Sequence, residues 1–156
     1  MPAASAFLIV LLLPVLVIAS RPSDPEPSPD LSPVEVIRIQ VEALQNNDEP
    51  RPNAGIALAF SFASPENRAA TGPLPRFTAM VRGPVYGDML GFDRAEYSAP
   101  VVEGSRAAQL VTLYHNDGRE ATYVFQLSRQ EGGRYDGCWM TDGVMRRDPA
   151  QSTTRV

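Results

Sequence analysis

Hydrophobic residues recur along this chain with two different periods, a helical one up to about residue 82 and a period of two from Arg94 onward. Ser32, Pro33 and Glu35 have the spacing of a capping box with proline in the first helical turn. They predict a helix from Pro33 to about Asn46 that packs on one face. Its apolar stripe is Val34, Ile37, Val41 and Leu44, with Ile39 beside it, and Glu35, Arg38 and Glu42 face away.

Two further helical patterns follow. One runs from about Asn53 to Ala63, and it is too apolar to lie on the surface. Ser64 or Pro65 then starts a short turn through Ala70. A third helix is predicted from Leu74 to Arg82, where glycine and proline end it. The apolar residues of the second helix are Ile56, Phe60 and Ala63 on one side and Leu58 and Phe62 on another.

The period of two from Arg94 onward predicts an antiparallel meander of about four strands. Turn clusters at 103–104, 115–118 and 131–133 separate the runs. The run 107–114 is apolar on both faces and should be central in the sheet. In the following run, one face is apolar at Ala121, Tyr123, Phe125 and Leu127. Helices first and strands afterwards predict an α+β fold, with three N-terminal helices packed on one face of a curved antiparallel sheet.

The chain divides into four segments. Residues 1–20 carry no charged side chain, and their core FLIVLLLPVLVI predicts either a secretory signal peptide cleaved after Ala19 or a membrane anchor. Residues 21–32 form a Pro-rich linker, either a stalk or a disordered spacer, before a domain at 33–146 and a disordered tail at 147–156. An exported or membrane-anchored protein, extracytoplasmic in the periplasm or a lumen, is therefore expected. If residues 3–20 are retained, the membrane itself is a partner.

The composition of the chain limits the partners, metal sites and cofactors that can be expected. The formal net charge of −4 gives no basic footprint for nucleic acid. Cys138 and His115 are the only residues of their types, so no internal disulfide can form and a zinc site would need carboxylates. We find no phosphate loop, nucleophile elbow or metal-ligand spacing, and predict no cofactor and no metal. His115 lies in a predicted hairpin turn and should face water, whereas Cys138 should be a small buried hydrophobe.

The order of elements, the phrase Phe62-Ala63-Ser64-Pro65-Glu66-Asn67-Arg68 and the closing Gly137-Cys138-Trp139 resemble the nuclear transport factor 2-like (cystatin-like, SnoaL-like) superfamily. Within it, the likeness is to the domain of unknown function 4864, over roughly residues 33–145. The resemblance implies a cystatin-like α+β roll with a conical cavity between helices and sheet. It implies no reaction, because no activity is attached to that family and fold alone does not specify function.

Polar residues at the mouth of such a cavity are the candidate site. Asp142, between Met140 and Val144, would share their face and need a partner, either an arginine such as Arg106 or a substrate. Arg68 could hold a carboxylate ligand, or it could hydrogen-bond backbone carbonyls as part of a capped turn. Aromatic side chains could line the pocket or form the core. The candidate ligand-binding residues are Asn67, Arg68, Tyr97, Tyr123, Trp139 and Asp142, and no catalytic residue is predicted.

Three hypotheses of function follow. The preferred one is a non-catalytic module that binds a small apolar ligand or assembles with a protein. The second is a small lyase, isomerase or hydrolase with Asp142 as base and a tyrosine as proton donor. The third is a purely structural homodimer formed through the open face of the sheet.

Overall fold

The computed structural model describes residues 24–147 as an α+β domain. Four helices come first, α1 Pro33–Gln45, α2 Ala54–Ser61, α3 Pro65–Thr71 and α4 Leu74–Val81. Five strands follow, β1 Arg94–Tyr97, β2 Val101–Glu103, β3 Arg106–Tyr114, β4 Glu120–Arg129 and β5 Trp139–Arg147. The order of helices and strands is confirmed, and the predicted numbers of three helices and about four strands are each one too few.

The first helix begins and ends close to its predicted bounds. Both hydrogen bonds of the capping box are formed, from Glu35 N to Ser32 Oγ and from Ser32 N to Glu35 Oε2. The predicted stripe was partly wrong, because Val34 and Ile39 are only half-buried whereas Val36 and Gln40 are buried. The buried face is Pro33, Val36, Ile37, Gln40, Val41 and Leu44.

Helix α2 lies very close to α1. A methyl group placed on Gly55 would lie 1.9 Å from the carbonyl oxygen of Ala43, so only glycine permits this approach. Its amide also donates to Asn47 O at 2.9 Å. The prediction that α2 is not a surface helix is confirmed at Ile56 and Ala59, which are buried.

The turn predicted after Ser64 is a helix instead. Ser64 Oγ accepts from Asn67 N, and Pro65 occupies the first turn, so the two residues start α3 as they would start a longer helix. Gly72, at a φ of 82°, ends it after seven residues. A segment this short has too few apolar positions to reveal a helical period in the sequence.

The strands form one open antiparallel sheet. Ala99 and Pro100 interrupt the first predicted run and divide it into β1 and β2, which both pair with β3. The order β1-β3-β4-β5 confirms that the run 107–114 is central. On β4 the predicted alternation is also confirmed, since Ala121, Tyr123, Phe125 and Leu127 are all buried.

The helices and the inner face of the sheet enclose the hydrophobic core. The core packs Val36 and Ile37 of α1, Ile56 of α2 and Phe62 just after α2 with Val111 and the buried residues of β4. Burial of this apolar surface is the main favourable term for the fold.

Residues 24–32 contain neither helix nor strand. They lie along the domain, and Leu31 packs partly against the core. The predicted membrane segment at residues 1–20 and residues 148–156 of the predicted tail lie outside the described residues, whereas Arg147 ends β5. Between residues 24 and 147, no helix has the length and apolar composition needed to cross a membrane.

Candidate functional site

A cavity of about 280 Å³ lies between the four helices and the β4–β5 end of the sheet. Helices α1, α2 and α4 contribute mainly aliphatic and aromatic side chains to it, and β4 contributes Phe125 from its buried face. We call this space the cavity. Its largest apolar lining residues are Leu44, Phe77, Met80, Val81, Met89 and Phe125.

Gln40 brings a polar group into this apolar wall. It belongs to the buried face of α1 and is 3% exposed. Its Nε2 donates to Val36 O at 3.1 Å and to Thr141 Oγ1 at 2.8 Å. Within residues 24–147, no residue donates a hydrogen bond to Gln40 Oε1, so this oxygen is an acceptor that a bound molecule could use.

Thr141 is held in place by the chain just before α3. Its amide donates to Phe62 O and its carbonyl accepts from Ser64 N, both at 2.9 Å. Asn67 of α3 donates from Nδ2 to the same carbonyl at 3.0 Å. These bonds attach α3 to the edge of β5 and fix Thr141 and Asn67 at the cavity wall.

Asp142 lies at a β-bulge. Gln126 pairs with Gly143 and Leu127 pairs with Thr141, so Asp142 is the extra residue on β5. The expectation that it shares one face with Met140 and Val144 was therefore wrong, because the bulge interrupts the alternation. Its exposed carboxylate accepts from Ser128 Oγ at 2.9 Å.

An open groove of about 600 Å³ adjoins the cavity on the other side of Asp142. We call it the groove. Cavity and groove share Asn67, Ala70 and Asp142, which therefore form the boundary between them. Arg106 lines the groove, but no ion pair joins it to Asp142, contrary to the suggested structural pairing. Glu66 and Glu103 also line the groove.

Arg68 does not reach the cavity. Its Nε donates to Phe60 O at 3.2 Å, its Nη1 donates to Tyr135 OH at 3.2 Å and its Nη2 donates to Ser61 O. The guanidinium lies 5.4 Å from the ring centroids of both Phe60 and Tyr135. The structure thus corresponds to the backbone-bonding alternative for Arg68.

The three predicted aromatic residues lie apart from the cavity. Tyr123 is fully buried, its hydroxyl donates to Val85 O at 2.9 Å, and burial raises its pKa to about 12. Trp139 belongs to the core cluster. Tyr97 is half-buried with the Arg38 guanidinium 4.9 Å from its ring, and burial raises its pKa. Of the six predicted residues, Asn67 and Asp142 line the cavity.

His115 is not simply a water-facing turn residue. It is half-buried, and its Nε2 lies 3.0 Å from the carbonyl oxygen of Asp88, which makes Nε2 the donor. Cys138 is buried as predicted, and burial raises the pKa of its thiol. Neither residue lines the cavity.

Comparison with known protein families gives one match. A model described as Domain of unknown function (DUF4864) matches residues 29–154, which include every helix and strand of the fold. The chain belongs to the DUF4864 family. No curated protein and no solved structure matches it. The family description states no activity, so the function of this DUF4864 domain has to be argued from the cavity.

Most lining residues of the cavity in this DUF4864 domain are absent from the predicted set, among them the polar residues Gln40, Thr141 and Tyr86. Gln40 had a detectable signal, because it stands four residues after Val36 and four before Leu44 within an apolar helix face. Thr141 and Tyr86 had no such signal. The position of Thr141 depends on the bulge of β5, and that of Tyr86 depends on the loop after α4.

Proposed function

We propose that this domain binds a small, mostly apolar molecule in the cavity and does not transform it chemically. The observation that carries the proposal is the cavity itself, which combines apolar walls with the buried residue Gln40, whose Oε1 accepts no hydrogen bond from residues 24–147. Ligand sites typically consist of an apolar pocket with a few placed polar groups. A volume of about 280 Å³ lies just below the usual range of about 300–1,000 Å³, so the ligand should be small.

The hydrogen bonds of nearby tyrosines support binding over catalysis. Tyr86 lines the cavity, but its hydroxyl donates to Val144 O at 2.9 Å. That bond commits the proton that a tyrosine acid would have to give to a substrate. Asp142 is exposed, whereas carboxylates that transfer protons are commonly tuned by burial. That the domain is a lyase, isomerase or hydrolase using Asp142 stays a hypothesis. Turnover of small esters or ketones that Asp142→Asn abolishes would establish it.

Titration with 1-octanol tests binding directly. Octanol has an apolar chain and one hydroxyl that could donate to Gln40 Oε1. We expect saturable amide chemical-shift changes in the full chain, concentrated at Gln40, Phe77 and Thr141. Changes scattered over the surface, or none up to the solubility limit of octanol, would overturn the proposal.

Two neighbouring alanines on α3 supply a matched pair of variants. Ala70 lines the cavity and is exposed, so Ala70→Phe should fill the mouth without disturbing the core. Ala69 is equally exposed and is not among the cavity-lining residues. We expect Ala70→Phe to weaken octanol binding at least about 10-fold and Ala69→Phe to leave it unchanged. Equal losses in both variants would argue against the cavity.

We also propose that residues 1–20 export the domain or anchor it in a membrane, so that the cavity is presented outside the cytoplasm. The support is the uncharged apolar run in the sequence. Mass spectrometry of the native protein should find either an N-terminus at Ser20 or an intact chain in the membrane fraction. An intact chain in the cytosol would overturn this proposal.

The nuclear transport factor 2-like assignment and the homodimer stay predictions. The outer face of the sheet, with Val101 and Met145 more than half exposed, is the surface that such a dimer would use. A monomer at micromolar concentration in light scattering would contradict the dimer.

A further inference from the structure

We propose that the ligand of the cavity is an amphipathic cation, with an apolar chain inside the cavity and a protonated amine held by Asp142 at the boundary with the groove. This inference rests on the proposed function, since it names the chemical class of the molecule that the cavity binds. It depends on the position of Asp142, on the polar atoms left open around it and on the charge of the groove.

The β-bulge places the Asp142 carboxylate at the mouth of the cavity. Without the bulge, strict alternation would carry a residue of β5 either into the core or onto the outer face. As the extra residue, Asp142 lines both cavity and groove. Bulges commonly aim a side chain in this way beside functional sites.

The Asp142 carboxylate is not neutralised by a protein cation. It accepts a hydrogen bond from the hydroxyl of Ser128, and none of the ion pairs within residues 24–147 includes it. A carboxylate has about four acceptor positions, so one hydroxyl leaves most of them open. An ammonium group with three donors fits these positions.

The polar atoms of the cavity wall independently favour a ligand that donates hydrogen bonds. The amide nitrogens of Gln40 and Asn67 already donate to protein oxygens. Between residues 24 and 147, neither Gln40 Oε1 nor Asn67 Oδ1 receives a hydrogen bond from another residue. Gln40 lines the cavity and is 3% exposed, so a ligand in the cavity can supply the donor that its oxygen lacks. A ligand rich in donors and poor in acceptors is therefore favoured.

The groove adds negative charge at the same place. Arg106 is its one basic lining residue, and Glu103 stands directly opposite Arg106 in the β2–β3 register. Glu66 and Asp142 remain as an excess of two carboxylates. Their field attracts a cationic head and repels an anionic one.

Three probes with the same eight-carbon chain separate the charge of the head from the apolar chain, namely octylammonium, 1-octanol and octanoate. At pH 7 and low salt, we expect octylammonium to bind the full chain about 5-fold more tightly than octanol, the gain of a solvent-accessible ion pair. Octanoate should bind more weakly than octanol. The preference for octylammonium should shrink in high salt.

Asp142→Asn tests which residue is responsible, because it keeps the shape and removes the charge. It should reduce the preference for octylammonium over octanol, with both affinities measured on the same variant, to less than about 2-fold. Glu120→Gln is the matched control, since it removes the same charge at the far end of β4 from Ser128 and should retain the preference. Circular dichroism checks that both variants fold.

The outcomes separate the two proposals. If octanol binds but octylammonium binds no more tightly, the cationic ligand is ruled out while the cavity remains a binding site. The same holds if Asp142→Asn keeps the preference, or if Glu120→Gln loses it equally. If none of the three probes binds in the cavity, the proposed function itself fails.

Discussion

Gln40 of α1 and Thr141 of β5 are joined by a hydrogen bond of 2.8 Å, from Nε2 to Oγ1, across 101 positions of sequence. Both side chains are buried, at 3% and 2% exposure. The bond is a direct polar link between the helical layer and the edge strand at the cavity wall. A buried polar group is destabilising when its partner is removed, so the contribution of this bond to the free energy of unfolding can be measured by removing each partner in turn.

A double-mutant cycle with Gln40→Met and Thr141→Val should give a coupling free energy of about 1 kcal/mol in urea unfolding. Each single variant should be destabilised, since it leaves one buried polar group with a partner missing. The matched comparison is Thr112→Val with Thr122→Val, whose hydroxyls meet at 3.0 Å on the half-buried outer face. We expect a smaller coupling there, and a larger one would contradict the special role of the Gln40–Thr141 bond.

Gly55→Ala should destabilise the domain by about 3 kcal/mol or more, because the new methyl group would overlap the Ala43 carbonyl and force α1 and α2 apart. Gly87→Ala is the control, since its methyl group would meet only Arg82 O at an ordinary 3.8 Å. Thermal unfolding of the two variants checks the difference. A Gly55→Ala protein as stable as the Gly87→Ala protein would show that the helices can separate without cost.

Much of the fold is predictable because its signals are local. The capping box at Ser32 and Glu35 defines the start of α1, and strict alternation from Ala121 to Leu127 defines the inner face of β4. Helix α3 was missed because seven residues provide no period, and β2 was missed because Ala99 and Pro100 give only a weak break in an extended run.

The candidate site was less predictable because it depends on two non-local features. The bulge at Asp142 arises from the pairing of β5 with β4, and its one local signal is Gly143 beside it, since an isolated glycine in a strand often marks a bulge without giving its register. Arg68 has the chemistry of a carboxylate binder in the sequence, yet the carbonyls of Phe60 and Ser61 come within its reach only when α2 and α3 fold against each other. Asn67 and Asp142, both polar residues beside apolar elements, line the cavity, and their role in ligand binding stays a prediction.

Arg68→Lys should lower the free energy of unfolding by about 1–3 kcal/mol, since a lysine has no planar fork to reach the two carbonyls and Tyr135 at once. Octanol affinity should stay within about 2-fold, because Arg68 does not line the cavity. Arg76→Lys on the exposed surface of α4 is the control and should be nearly neutral. A loss of ligand affinity in Arg68→Lys with unchanged stability would instead favour the carboxylate-binding role.

Asp88 should make the folding stability of the domain depend on pH under acidic conditions. Its partial burial alone would raise the pKa, but hydrogen bonds and charge from Arg146 and Arg119 outweigh burial and hold the pKa below its usual range. A depressed pKa means that the folded state favours the charged form. The resulting stability is present above the unfolded-state pKa and is lost as pH falls through the folded-state pKa.

Asp88→Asn should therefore be less stable than the unmodified chain near neutral pH, and this difference should shrink as the pH falls from about 5 to about 2. Urea unfolding at a series of pH values measures it. Asp117 is paired with the same Arg119 but is exposed, so Asp117→Asn should change the pH profile less. Asp88 joins Arg119 of the β3–β4 turn and Arg146 of β5 to the loop after α4. A variant whose stability deficit stayed constant down to pH 2 would mean that this residue acts through its shape and not through its charge.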